Sequence, residues 1–165
     1  MTEEHDWVRI EREFDAPIDL VWKMWTDPFL FKRWYGPNGM SVPTAEMDVR
    51  IGGTRKVCIA MQSPERSMEM WFTGVYKEVR APDRLVYTES ICDAEGRIIS
   101  PQSMGMPDGF PDITEVIIDL SEVDGKTRMV MVHVGVVEGT AGAGGCNQAL
   151  DKLGSLILST VNAER

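Results

Sequence analysis

The sequence contains few of the residues that usually form metal sites and disulfide frameworks. It has two histidines, His5 and His133, and no HxH, HExxH or CxxC spacing, which argues against a structural or catalytic zinc. Its three cysteines, Cys58, Cys92 and Cys146, lie far apart, and this favours free thiols in a reducing cytosol over disulfides. We therefore predict a cytoplasmic protein without a metal or another cofactor.

Clustered basic charge and long apolar runs are also absent from the sequence. The net charge is −9 and no five-residue window is densely basic, which argues against nucleic acid and against a polybasic membrane anchor. No apolar run approaches the ~18 residues of a membrane-spanning helix, and the start (MTEEHDWVRIERE) is too polar for a signal peptide. The length of 165 residues predicts a single domain over residues 1–165, with no membrane insertion.

Aromatic residues are concentrated at the start of the chain, where four of the five tryptophans lie within the first 34 residues. The pattern predicts two short helices here, each opened by a proline. We expect Asp15 to cap the first helix, with Pro17 in its first turn, and Asp27 and Pro28 to open the second helix in the same way. Two short aromatic helices cannot bury themselves, so they are expected to close over something larger.

Alternation with a period of two follows the helical segment. Residues 54–62, 68–79 and 84–92 are predicted to be strands, because apolar and polar residues alternate in them between turn signals. One face of the first of these strands carries Arg55, Val57, Ile59 and Met61.

Residues 113–135 form the clearest hairpin, with Asp124 and Gly125 at its turn. Pairing Glu122 with Thr127 makes one face almost wholly apolar, and this fixes the register. That inward face carries Val116, Ile118, Leu120, Met129, Met131 and His133. The outer face carries Ile117, Val130, Val132 and Val134, which predicts a homodimer in which each copy covers this apolar patch of the other.

A loop and a long helix complete the chain. Residues 93–112, rich in Gly, Pro, Ser and Met, are predicted to be a lid or an insert. A helix from about Ala143 to Asn162 presents one apolar stripe, made of Cys146, Ala149, Leu150, Leu153, Ile157 and Val161. The order of strand, two helices, antiparallel strands and a long C-terminal helix predicts an α+β fold.

The chain resembles the SRPBCC (START-like, Bet v-type) superfamily, and within it the branch called activator of heat-shock protein ATPase homologue-like, or polyketide-cyclase-like. The resembling segments run in order from about residue 8 to residue 160: FDAPIDLVWKMWTDP, FKRWYGPNGM, EMDVRIGG, FTGVYKEVRAPDRLVYTE, SMGMP, GKTRMVMVHVGV and GCNQALDKLGSLI. The resemblance implies a helix-grip fold, in which a curved antiparallel sheet wraps around the C-terminal helix and leaves an apolar cavity. At two positions the sequence departs from the residues that are usual in the family: Arg55 stands where an aromatic residue is common, and Cys146 stands where a tryptophan is usual.

The candidate ligand site is the inward face of this grip. His133 is interpreted either as a hydrogen-bonded core histidine or as a polar anchor or general base. Arg55 and Glu89 face either the interior or solvent, because a shift of one residue reverses the face of a strand. The candidate cavity residues are Arg55, Val57, Ile59, Met61, Tyr87, Glu89, Met104, Met129, Met131, His133, Leu150 and Leu153.

Three functions are compatible with these observations. The preferred one is binding of a small hydrophobic molecule, since the inward lining is apolar with few polar groups. A cyclase or hydrolase would instead use His133, Glu89, Tyr87 or Arg55, although no catalytic set is assigned. A co-chaperone-like domain that stimulates a heat-shock ATPase is what the name of the resembling branch implies.

Overall fold

The structure is a computed structural model that describes residues 7–36, 39–62, 67–104, 111–137 and 141–163. Its strands are β1 (Trp7–Phe14), β2 (Ser41–Met47), β3 (Thr54–Gln62), β4 (Ser67–Arg80), β5 (Arg84–Cys92), β6 (Thr114–Val123) and β7 (Lys126–Val137). Its α-helices are α1 (Ile18–Thr26), α2 (Pro28–Phe31) and α3 (Ala141–Ala163), and a short 3₁₀ turn spans Pro101–Met104.

The strands form one antiparallel sheet in the order β1-β7-β6-β5-β4-β3-β2. The first strand of the chain therefore lies at one edge, next to the last strand, and the two short helices connect it to the opposite edge. Helix α3 packs on β1 and β7, and it also contacts α1. This arrangement confirms the predicted α+β helix-grip fold, with two short helices after the first strand.

The β6–β7 hairpin has the predicted register. Glu122 pairs with Thr127 and Val116 pairs with His133, with a turn at Asp124 and Gly125 between the strands. All six side chains of the predicted inward face are buried. The four residues of the outer apolar patch are half-buried in the single chain, and their burial against a second copy stays a prediction.

Strand β2 is missing from the sequence-based prediction. It lies at the edge of the sheet and pairs only with β3, with a register shift between Ser41 and Thr44. Pro43 lies at this shift, and a proline is tolerated in an edge strand because its missing N–H leaves no ladder partner unsatisfied. The same proline removes the sequence signal for a strand, which explains the omission.

The capping prediction is wrong for the first helix and confirmed for the second. Helix α1 begins at Ile18 with Pro17 as its N-cap, and no side chain caps it, because Asp15 lies two residues before the cap position. In α2 the carboxylate of Asp27 accepts a hydrogen bond from the backbone N–H of Phe29 at 2.9 Å, and Pro28 is the first helical residue.

The loop and the long helix agree in part with the prediction. Helix α3 begins at Ala141, slightly earlier than expected, and its first turns contain Gly142, Gly144 and Gly145. Residues 105–110 of the predicted lid lie outside the described residues. Among the helices that the structure describes, none is both long enough and apolar enough to cross a bilayer.

Candidate functional site

A cavity of about 340 Å³ lies between the sheet, the first half of α3 and the segment that follows α2. Four aromatic side chains line it: Trp25, Trp34, Tyr35 and Phe72. Aliphatic and methionine side chains from β3, β4, β5, β7 and α3 form most of the remaining wall. Besides Tyr35, the titratable and hydroxyl side chains in the lining are Glu89, Asp112, Thr114, His133 and Cys146.

The predicted site residues divide into two main groups. Five line the cavity: Ile59, Glu89, Met131, His133 and Leu150. Five others, Arg55, Val57, Tyr87, Met129 and Leu153, are buried in the core without being part of the lining. Met61 is half-buried, and the side chain of Met104 lies outside the described part of the chain.

This division follows from the way α3 meets the sheet. The second half of the helix packs directly on the core through Leu153 and Ile157, which are both almost completely buried. The cavity instead lies beside the start of the helix, where Gly145, Cys146 and Ala149 form its wall. Small side chains at these positions leave space that larger residues would fill.

Arg55 and Glu89 both face the interior, which settles the alternative that the sequence left open. The guanidinium Nη1 of Arg55 donates a hydrogen bond to Oε2 of Glu89 at 3.2 Å. The guanidinium also lies over the ring of Tyr87, with its Cζ 3.9 Å from the ring centroid. Nε and Nη2 of Arg55 find no acceptor among the described residues, and the ring of Tyr87 adds a cation–π attraction to the ion pair with Glu89.

Tyr35 is the second hydrogen-bond partner of Glu89, and the sequence-based prediction missed it. Its hydroxyl donates to Oε2 of Glu89 at 2.9 Å and lies 3.2 Å from the hydroxyl of Tyr87. Burial raises the pKa of Tyr35 well above its ordinary value, and the charge of Glu89 acts in the same direction. Both effects keep this hydroxyl protonated and able to donate. The spacing of Phe31, Trp34 and Tyr35 (i, i+3, i+4) is the signal that could have placed them on one face.

His133 lies in a second polar cluster, with Thr114 and Cys146. Its Nε2 is 3.0 Å from Oγ1 of Thr114, and its Nδ1 is 3.7 Å from Sγ of Cys146. Burial lowers the pKa of His133, although the charge of Glu89 opposes this effect. Burial also raises the pKa of Cys146 to about 12, with a further contribution from Glu89. At neutral pH the pair is therefore a neutral imidazole and a protonated thiol.

Thr114 was not among the predicted site residues, although it could have been found from the alternation along β6. It shares the inward face with Val116 and Ile118. Its hydroxyl donates to the backbone carbonyl of Glu89 at 3.2 Å, which connects the histidine cluster to the strand that carries Glu89.

Glu89 joins the two polar clusters at one side of an apolar cavity. Its Oε2 accepts hydrogen bonds from Tyr35 and Arg55, whereas its Oε1 accepts none from the residues that the structure describes. The residue is 8% exposed and lines the cavity. The site thus offers apolar walls, one unused carboxylate oxygen and a neutral imidazole. Across the described ranges, no three side chains of the kinds that bind metals are grouped together.

A family model described as "Activator of Hsp90 ATPase homolog 1-like protein" (AHSA1) matches residues 15–157, most of the chain. The protein belongs to this family. Arg55 and Cys146 each lie in one of the two polar clusters. Arg55 brings the charge that pairs with Glu89, and Cys146 brings the thiol beside His133.

Several solved structures share this fold over most of the chain's length. Protein NE0264 from Nitrosomonas europaea is 22% identical, with a TM-score of 0.74 over 98% of this chain and 99% of that one. The AHSA1 protein SPO3351 from Silicibacter pomeroyi is 20% identical, with a TM-score of 0.69 over 92% and 97%. CalU16 from Micromonospora echinospora is 26% identical, with a TM-score of 0.58 over 90% and 74%. No curated protein matches the sequence at a significant level.

Proposed function

We propose that this AHSA1-like protein binds a small, mostly apolar molecule inside the cavity between its sheet and α3. The observation that carries the proposal is the cavity itself, about 340 Å³ in volume and lined largely by aromatic, aliphatic and methionine side chains. Protein interiors are close-packed, and voids much larger than a water molecule are few. The volume of this cavity lies within the usual range of ligand sites. We therefore favour a bound molecule over a packing defect as the reason for the cavity.

The polar groups of the cavity support a specific orientation of that molecule. Ligand sites typically combine apolar walls with a few placed polar groups, which fix the orientation of the ligand. Glu89 is the strongest such group, because its side chain is held by Tyr35 and Arg55 and still has one oxygen without a donor. A hydrogen-bond donor on the ligand would satisfy that oxygen.

Native mass spectrometry of freshly purified protein tests whether a small molecule co-purifies. A second test titrates the protein with N-phenyl-1-naphthylamine, an apolar dye whose emission rises in apolar surroundings. We expect saturable binding near one dye per chain. The dye should also change the tryptophan emission, since Trp25 and Trp34 lie in the wall.

Two variants on the same helix make the test specific. Cys146→Trp would fill the cavity, whereas Leu158→Trp adds the same side chain at an exposed position. We expect the first variant to lose dye binding while it stays folded, and the second to bind like the wild type. Equal binding by both variants would place the dye outside the cavity and contradict the proposal.

Two further functions stay predictions. An enzyme of the cyclase or hydrolase kind is favoured by one observation, the presence of Glu89 and His133 in the same cavity wall. A co-chaperone-like interaction is supported by the family's description alone. Stimulation of the ATPase rate of an Hsp90-type chaperone by the purified protein would test that interaction.

A further inference from the structure

The hydrogen bonds around His133 determine which of its nitrogens carries the proton. Thr114 has a single hydroxyl proton, and it is used in the hydrogen bond to the backbone carbonyl of Glu89. Oγ1 of Thr114 must therefore accept a hydrogen bond from Nε2–H of His133. In the neutral ring the other nitrogen, Nδ1, then has a free lone pair, and this nitrogen faces Sγ of Cys146 at 3.7 Å.

The result is a directed chain of four groups: the Cys146 thiol, the His133 imidazole, the Thr114 hydroxyl and the Glu89 carbonyl. A nucleophile within reach of a base, with the base oriented by a third group, is the arrangement that activates serine and cysteine side chains. Both Cys146 and His133 line the cavity. The arrangement therefore faces the space in which a ligand would lie.

Glu89 supplies an independent observation at the same place. Its carboxylate is more than nine-tenths buried, lines the cavity, and keeps one oxygen without a donor among the described residues. Its charge also favours the protonated form of His133. If His133 took a proton from the thiol, the charge of Glu89 would stabilise the imidazolium that forms, whereas burial and the charge of Arg55 would act against it.

We propose that Cys146 is a nucleophile that forms a thioether with an apolar α,β-unsaturated carbonyl compound held in the cavity, with His133 as its base. The proposal rests on the proposed ligand binding, since the cavity must first hold the compound. Sγ bonds to the β-carbon as the carbon–carbon π bond breaks. The thiol proton passes to Nδ1 of His133 and then to the α-carbon. The atoms balance, and no oxidant, reductant or further reactant is required.

The resting protonation states explain why such a thiol would react selectively. Because burial and Glu89 raise the pKa of Cys146 to about 12, very little thiolate is present at neutral pH. The thiolate is the form that attacks ordinary alkylating reagents, so we expect slow labelling of Cys146 by iodoacetamide. A compound held in the cavity reacts by a different route, because proton transfer to His133 accompanies the attack.

The test uses two matched ketones, 4-phenylbut-3-en-2-one and its saturated analogue 4-phenylbutan-2-one. We expect the unsaturated ketone to add once per chain, at Cys146 by peptide mapping, and faster than it adds to glutathione. The saturated ketone should bind without reacting, and a change in tryptophan emission measures this binding. If the saturated ketone binds but the unsaturated ketone forms no adduct, the role of Cys146 as a nucleophile is overturned and the ligand site stands. If the saturated ketone does not bind and no adduct forms, the ligand site is overturned as well.

Variants separate the thiol from its base. Cys146→Ser should form no adduct with the unsaturated ketone. His133→Gln keeps a donor for Thr114 but no base, so at a saturating concentration of the unsaturated ketone the adduct should form roughly 100-fold more slowly. An adduct at Cys58 or Cys92 that forms as fast as the one at Cys146 would overturn the proposal.

The pH profile of the wild type tests the same step without relying on a variant. For free glutathione the rate rises about tenfold per pH unit below its thiol pKa, because only the thiolate reacts. For Cys146 we expect a nearly flat rate from about pH 7 to pH 9, since His133 is neutral throughout this range. A tenfold rise per unit in the protein would show ordinary thiolate attack and overturn the role of His133.

Discussion

Arg55 and Glu89 form an ion pair inside the protein, with 3.2 Å between Nη1 and Oε2 and side-chain exposures of 1% and 9%. Both side chains are about nine-tenths or more buried, so each charge depends on the other and on the aromatic rings around them. A pair of this kind contributes little net stability compared with apolar residues of the same size, but loss of one partner leaves a buried charge without compensation.

Removal of one partner should therefore be more harmful than removal of both. We expect Glu89→Leu to lower the free energy of unfolding by about 3–5 kcal/mol. The double variant Arg55→Leu/Glu89→Leu should lose clearly less than Glu89→Leu alone, because it leaves no unpaired charge. Urea denaturation measures both variants.

A pair at the surface is the control for this experiment. Lys77 and Glu115 lie 2.8 Å apart, but the Lys77 side chain is about half exposed. Lys77→Leu should change the free energy of unfolding by no more than about 0.5 kcal/mol. Losses of similar size for Lys77→Leu and Glu89→Leu would contradict the difference in burial on which the prediction depends.

His133 should make the stability of the protein sensitive to mild acid. Burial lowers its pKa in the folded state below the ordinary value of 6.5. On acidification the unfolded chain therefore binds a proton first, and the stability contributed by the neutral ring is lost as the pH falls from about 6.5 through the folded-state pKa. His133→Gln should show a shallower loss of stability over this window than the wild type.

The comparison between the wild type and His133→Gln tests this shift directly. Urea midpoints between pH 7.5 and pH 5 provide the measurement. Parallel curves for the wild type and His133→Gln would mean that burial does not shift this pKa.

Two leucines on α3 test how the long helix is held. Leu153 is completely buried, whereas Leu158 is 58% exposed. We expect Leu153→Ala to cost about 2–5 kcal/mol and Leu158→Ala to stay within about 0.5 kcal/mol. Comparable losses for the two in chemical denaturation would mean that the sheet does not grip this half of the helix.

The outer face of the β6–β7 hairpin is the predicted homodimer interface. Val132 lies in the middle of the apolar patch, and Val123 lies at the tip of the hairpin with 41% exposure. Sedimentation at tens of micromolar should show a wild-type dimer, a Val132→Lys monomer and a Val123→Lys dimer. A wild-type monomer would rule out association through this face at these concentrations.

Alternation and helical spacing predicted the elements whose two faces differ clearly in polarity. The structure confirms the predicted β6–β7 register. The sequence could predict it because only one pairing places the apolar residues on a single face. The sequence could not decide which face of β3 and of β5 points inward, because the two faces of each strand do not differ clearly in polarity. Cys58 and Ala60 in β3, and Val86 and Cys92 in β5, are buried on the face opposite Arg55 and Glu89, so both faces contain apolar residues.

The polar clusters show a different limit of the sequence. Tyr35 and Glu89 are 54 positions apart, and Arg12 and Asp151, which form a hydrogen bond across β1 and α3, are 139 apart. Local patterns can place such residues on a face, but only the assembled sheet brings them within hydrogen-bond distance. The same holds for Cys146 and His133, which were each noted separately in the sequence but not as a pair.

Helix α3 begins with Gly142, Gly144 and Gly145, of which Gly145 lines the cavity, and these glycines make its start the part of the helix with the weakest intrinsic preference for helical structure. Each glycine costs roughly 1 kcal/mol relative to alanine within a helix. The turns that form the cavity wall should therefore open more readily than the turns around Leu153. Their amide hydrogens should exchange faster in the empty protein and slow down when the cavity is filled. A bound molecule would then stabilise the first turns of the helix as well as occupy the cavity.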